Sequence, residues 1–111
     1  MAAKFEIQTS SDGSFHFHLK AANGEIILSS QQYKSKANAR IGIDSVKANA
    51  PIDAHYTRKM STSDQPYFDL KAANGETLGR SQMYSSAAAM EKGIASVQEN
   101  APTATVEDHT E

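Results

Sequence analysis

The sequence predicts an α+β fold in which two tandem βββα repeats share one antiparallel-rich sheet, with both helices on one face. Three observations carry this prediction. Residues 19–25 and 70–76 both read LKAANGE, and the correspondence continues at the same offset through Ser30-Gln31/Ser81-Gln82, Tyr33/Tyr84, Ser35/Ser86, Gly42-Ile43/Gly93-Ile94, Ser45-Val46/Ser96-Val97 and Asn49-Ala50-Pro51/Asn100-Ala101-Pro102. Each copy holds a stretch of period-two hydrophobicity that ends at an Asn-Gly pair. Each then switches to helical spacing closed by Asn-Ala-Pro. A half of about 50 residues is near the size at which one core becomes marginal, so the halves are expected to share theirs.

The first strand of each repeat is expected at residues 4–9 and about 54–60, separated from the hairpin by the turn-forming segments 10–13 and 61–66. The hairpin follows. Phe15, Phe17, Leu19 and Ala21 alternate with His16, His18, Lys20 and Ala22, the pattern of a half-buried strand. Asn23-Gly24 predicts a two-residue type I′ turn, because both central residues of that turn need positive φ. Counting outward from it pairs Leu19 with Leu28 and Phe17 with Ser30 on the core face, and Lys20 with Ile27, His18 with Ser29 and His16 with Gln31 on the outer face. In the second copy the same count pairs Lys71 with Leu78 on the outer face. It also sets Asp69 opposite Arg80, an opposite-charge cross-strand pair.

Ser35 and Ser86 are expected to cap the helices, their hydroxyls accepting from unpaired backbone N–H groups. Ala39, Gly42, Ile43, Val46 and Ala50, and likewise Met90, Gly93, Ile94, Val97 and Ala101, form one apolar stripe per helix. The mid-helix glycines cost about 1 kcal/mol against alanine, which predicts close approach of another element. Asn49 and Asn100 are expected to end the helices in the left-handed conformation ahead of Ala-Pro. The chain thus reads as one domain, with repeat 1 in residues 1–53 and repeat 2 in residues 54–111. Residues 103–107 align with 52–56 and supply a last strand before an acidic tail.

Composition excludes several classes. The 111 residues contain no cysteine, which rules out a disulfide scaffold and a thiolate zinc site and makes the cytoplasm the default location. No basic segment leads into an apolar one at the N-terminus, and no apolar run reaches the length of a membrane span. A net charge of −2 argues against nonspecific nucleic-acid binding. Residues 1–51 nevertheless carry six Lys/Arg against four Asp/Glu, and residues 52–111 five against nine. Weak nucleic-acid binding through a basic patch on the first repeat, around Lys34, Lys36, Arg40 and Lys47, is therefore one alternative reading, and a small-ligand sensor with a pocket between helices and sheet is the other.

Chemistry is less legible. No phosphate-binding Gly-rich loop, HExxH motif or cysteine nucleophile occurs, so the expectation is a non-enzymatic protein with no catalytic residue, metal or cofactor. His16 and His18 lie on one face of a strand, a spacing that suits a metal, but solvated histidines account for them with fewer assumptions. Tyr33 and Tyr84 could contact a small molecule, and packing at the helix entry explains them more simply. The expected site is the outer sheet face, which collects His16, His18, Lys20 and Ile27 from repeat 1 and Tyr67, Asp69, Lys71, Leu78 and Arg80 from repeat 2. That mixture of aromatic, apolar and cationic groups suits a protein partner. A monomer is expected, because a tandem repeat completes its own sheet.

The run FxFxLKAxNGEIIL, followed by SxxYxSKxxA and GIxSVKxNAP, resembles the YegP-like family of small bacterial proteins across nearly the whole chain. The motif residues are Phe15, Phe17, Leu19, Lys20, Ala21, Asn23, Gly24, Glu25, Ile26, Ser30, Tyr33, Ser35, Gly42, Ile43, Val46, Asn49 and Ala50. The second copy is the looser match, with Thr77, Gly79 and Lys92 in place of Ile26, Leu28 and Ile41. The resemblance implies tandem βββα units in a single sheet with strand exchange between them. It implies no activity, substrate or catalytic residue.

Overall fold

The structure is a computed structural model and describes residues 3–110. Strands β1 (Lys4–Thr9), β2 (Phe15–Lys20) and β3 (Ile26–Ser29) lead into helix α1 (Lys36–Asn49). Strands β4 (Tyr56–Met60), β5 (Pro66–Lys71) and β6 (Thr77–Arg80) lead into α2 (Ala87–Asn100), and β7 (Thr105–Asp108) ends the chain. All seven strands form one sheet in the order β4-β5-β6-β3-β2-β1-β7, so the expected α+β architecture holds. The repeats meet at its centre, where antiparallel β3 and β6 overlap only at their ends, around Ser29 opposite Arg80. His18 pairs with Ser29, and Asp69 with Arg80, so the solvent-side residues of both repeats share a face. Both helices cover the other face, over a core that includes Phe5, Ile7, Phe17 and Leu19 from one repeat and Phe68, Leu70, Ile94 and Val97 from the other.

The strand exchange implied by the family resemblance takes the form of β7. It leaves the second repeat and adds parallel to β1, with Glu6 opposite Glu107. Val106 packs against the core, while Asp108 reaches α1 through Lys36 (3.1 Å) and Arg40 (3.4 Å).

The hairpins depart from the expected turn. Gly24 N–H donates to Ala21 O and Ala21 N–H to Glu25 O, and Gly24 alone takes positive φ, at 86°. Only the glycine is left-handed, and the Asn23 side chain instead accepts from the Glu25 amide at 3.0 Å. This longer turn would shift the register by one residue. A bulge restores it, since Lys20 pairs with Ile26 whereas Leu19 pairs with Leu28. The second hairpin repeats both features, with Gly75 at φ 88° and a register shift after Leu70. A second irregularity explains the repeated Ser-Gln. The Ser30 hydroxyl accepts from the Phe17 amide (2.9 Å) and donates to Gln31 O (2.8 Å), and Ser81 does the same for Phe68 and Gln82.

Ser35 and Ser86 cap their helices as expected, each accepting at 3.1 Å from the amide three residues on. Asn49 and Asn100 do not adopt left-handed φ. Their side-chain amides instead donate to Ser45 O and Ser96 O at 2.8 Å, binding back to the final turn. The mid-helix glycines admit an aromatic ring. Tyr33 stacks on Phe17 and Tyr84 on Phe68, with centroids 5.9 and 6.3 Å apart. A Cβ on Gly42 would lie 2.8 Å from Tyr33 Cζ, and one on Gly93 2.6 Å from Tyr84 Cζ. The two tyrosines are therefore the close approach that the glycines announce.

Candidate functional site

The outer face is built from alternate residues of each strand. Lys4 and Glu6 come from β1, His16, His18 and Lys20 from β2, Lys59 from β4, Tyr67, Asp69 and Lys71 from β5, Arg80 from β6 and Glu107 from β7. Two carboxylates lie at its floor. Asp69 is 1% exposed and is held by Arg80 at 2.8 Å and by Lys59 at 2.9 Å. Burial pushes its carboxyl up, but the bonds from Arg80 and Lys59 outweigh that and hold it below its ordinary range. The Asp69–Arg80 pair is the one the hairpin count expects.

Glu6 is 4% exposed and is held by His18 at 2.6 Å and Lys20 at 3.2 Å. Burial again raises its carboxyl, and the hydrogen bonds from His18 and Lys20 prevail, bringing it from 4.5 down to about 2. Both acids therefore stay ionised at neutral pH beneath their cations. Sequence reasoning passed over Glu6, because its role depends on which residues stand beside it on β2 and β7. The alternation of β1 was the one available signal.

The expected site residues are thus distributed unevenly. Lys20, Tyr67, Lys71 and Arg80 lie on the outer face in contact with solvent, and Arg80 stacks over the Tyr67 ring at 5.1 Å. His18 and Asp69 are buried within the ionic floor. His16 is half-buried and bonds Ser10 Oγ through Nδ1 at 2.7 Å, so the two histidines engage separate partners. Ile27 and Leu78 correct the sequence reading. They are 4% and 5% exposed and belong to the apolar core, because the bulge between Lys20 and Leu19, and its counterpart in repeat 2, breaks simple alternation there.

The helix side offers less room. Phe5, Phe17 and Phe68 fill the space beneath the helices, and Lys47 covers the Phe5 ring at 5.9 Å. A shallow cleft of about 240 Å³ runs from Glu25 and Ile27 of the first hairpin to Tyr84 and Lys92 of the second repeat. On the outer face a larger depression of about 370 Å³ opens at the ends of β1, β2 and β7, lined by Lys4, Lys20, Thr105 and Glu107. No helix is long and apolar enough to cross a membrane among the described residues.

Comparison with known proteins places this geometry. The family model "Domain of unknown function (DUF1508)" matches twice, over residues 10–56 and 61–108. A UPF0339 protein of Shewanella oneidensis is 50% identical over 110 residues, covering 99% of this chain and 100% of its own. The UPF0339 protein YegP of Escherichia coli K12 is 49% identical over the same length, with 99% and 100% covered. The solution NMR structure of the Shewanella protein superimposes with a TM-score of 0.93 at 50% identity, covering 99% of this chain and 93% of that one. That of Escherichia coli YegP also gives 0.93, at 49% identity and with 99% and 95% covered. With its two DUF1508 units and full-length similarity to these bacterial proteins, the chain belongs to the YegP/UPF0339 family.

Proposed function

We propose that this protein is a small non-enzymatic interaction module whose outer sheet face binds an acidic surface on a partner protein. One observation carries the reading, namely the vertical separation of charge on that face. Lys4, Lys20, Lys59, Lys71 and Arg80 outnumber Glu6, Asp69 and Glu107, although the whole chain carries −2. The two floor acids are at most 5% exposed at their side chains, whereas Lys20, Lys59 and Arg80 above them are 30–54% exposed. A partner therefore meets cations first, around the Tyr67 ring, an arrangement suited to an acidic patch with an aromatic anchor.

The nucleic-acid alternative loses residues, since Asp108 engages Lys36 and Arg40 of α1. The same pairing logic supports a non-enzymatic role, because the two buried carboxylates of the sheet are engaged by their cations. The cytoplasm and a monomeric state remain part of this proposal.

The test must spare the floor. Reversing Lys20 or Arg80 would strip a counter-ion from a buried acid, at a cost of several kcal/mol. Lys71 makes no ion pair among the described residues and Tyr67 meets the floor only through its stack with Arg80, so Lys71→Glu with Tyr67→Ala leaves both buried acids their counter-ions. Capture from native lysate, with nuclease added, should recover a stoichiometric acidic protein that the double variant fails to bind. Recovery undiminished by the variant would count against this face.

A further inference from the structure

The register of β7 on β1 sets Glu6 directly opposite Glu107, two carboxylates on adjacent strands and one face. Such a pair is repulsive unless a cation lies between them. Lys4 fills that place only loosely, with Nζ 3.5 Å from Glu6 and 3.3 Å from Glu107, longer than the roughly 2.7–2.9 Å of a good charge-assisted bond. His109 arrives from beyond the end of β7, its Nε2 3.1 Å from Glu107 Oε1 and 3.7 Å from Glu6 Oε2.

We propose that Glu6, Glu107 and His109 form a binding site for a divalent transition-metal ion of the zinc class, which replaces the Lys4 ammonium and fastens β7 to β1. Their donor atoms lie within 4.8 Å of one another. Donors at about 2.0–2.2 Å around a tetrahedral ion are roughly 3.3–3.6 Å apart, so small side-chain movements suffice. One imidazole with two carboxylates suits zinc, with water as fourth ligand, and is a poor match for calcium, which prefers six to eight oxygens.

The support for the ligands is already built. Glu6 uses Oε1 to bind His18 (2.6 Å) and Lys20 (3.2 Å), which fixes its orientation and leaves Oε2 facing the cluster. The adjoining depression of about 370 Å³, lined by Lys4 and Glu107, gives the displaced lysine somewhere to go and admits water to the ion. The arrangement belongs to this junction alone, since Thr57 stands at the position of Glu6 in the second repeat. The inference does not depend on the proposed protein partner.

Zinc chloride titration of the full chain near pH 7, followed by calorimetry and histidine-ring NMR, tests it. The expected result is one ion per chain, with the His109 ring moving most and the His18 ring responding through Glu6. His109→Ala and Glu107→Gln should each weaken binding at least about tenfold. Lys4→Met should tighten it, because a competing cation is gone, an effect that a purely structural lysine would not produce. An unmoved His109 ring, unchanged affinity in His109→Ala, or weaker binding in Lys4→Met would each overturn the proposal. Backbone amide spectra of each variant verify that the fold persists.

Discussion

The two repeats fold alike but carry opposite charges at equivalent places. In repeat 1 the outer edge of β1 accepts β7, whose Asp108 reaches Lys36 and Arg40 on α1. In repeat 2 the residues aligned with Arg40 and Ile7 are Glu91 and Arg58, and these pair with each other at 2.6 Å, with Asp53 joining Arg58 at 3.1 Å. The arginine therefore occupies the helix side of the β4 edge, while an acidic strand covers the corresponding edge of β1. On the outer face the floor acid comes from β1 in repeat 1 and from β5 in repeat 2, with cations on neighbouring strands each time. Both repeats thus bury one compensated acid at this level, and a different strand supplies it in each.

Breaking that compensation should have the largest effect. Glu6 titrates near 2 in the folded chain against 4.5 as its ordinary value, so the folded state binds fewer protons between these limits. Its contribution is complete above about pH 4.5 and disappears as pH falls toward 2, amounting to about 3 kcal/mol at most. Acid titration should therefore destabilise the protein across that window, and Glu6→Gln should flatten the slope. In repeat 2, Arg80→Met leaves Asp69 to Lys59 alone and should cost about 1–3 kcal/mol by denaturant melting. Destabilisation by one of these losses without the other would show that the two floors are not equivalent supports.

Next come the tyrosine-glycine contacts. Gly42→Ala and Gly93→Ala gain about 1 kcal/mol of helix propensity and lose about 1–3 kcal/mol to overpacking against Tyr33 and Tyr84, a net loss in both repeats. The repeats should part at the hydroxyls. Tyr84 Oη is the one buried side-chain polar atom without a hydrogen-bond partner among the described residues. Tyr84→Phe should accordingly raise stability by about 1 kcal/mol, and more than Tyr33→Phe does.

A smaller effect separates the first turns. Gly13 takes φ 86°, and its counterpart Asp64 takes φ 62°, a left-handed conformation that favours glycine. Asp64→Gly should stabilise by up to about 1 kcal/mol, and Gly13→Asp should lose a similar amount. No atom crowds the Cβ position at Gly13, so backbone strain alone would be measured. Finally, Asp108→Asn removes the charge that ties β7 to Lys36 and Arg40 of α1. Faster amide exchange at residues 106–109, with the rest of the sheet unchanged, is the expected result.

The sequence by itself determined what depends on neighbours along the chain. The LKAANGE repeat, the Ser35 and Ser86 caps, the helical stripes and the Asp69–Arg80 pair follow from local spacing, because caps and hairpin partners are set within a few residues or one turn. Even the incorrect type I′ turn led to the correct pairing of Leu19 with Leu28, since the turn and the bulge offset each other. Tertiary structure alone decided what depends on packing across the sheet. The bulge that takes Ile27 and Leu78 into the core answers to the layer above them. The pairing of β7 with β1 rather than β4 brings Asp108 to Lys36 and Arg40 of α1, a contact between the two ends of the chain. Glu6 became a buried acid because β2 sets His18 and Lys20 against it and β7, from the far end of the chain, brings Glu107 and His109 alongside.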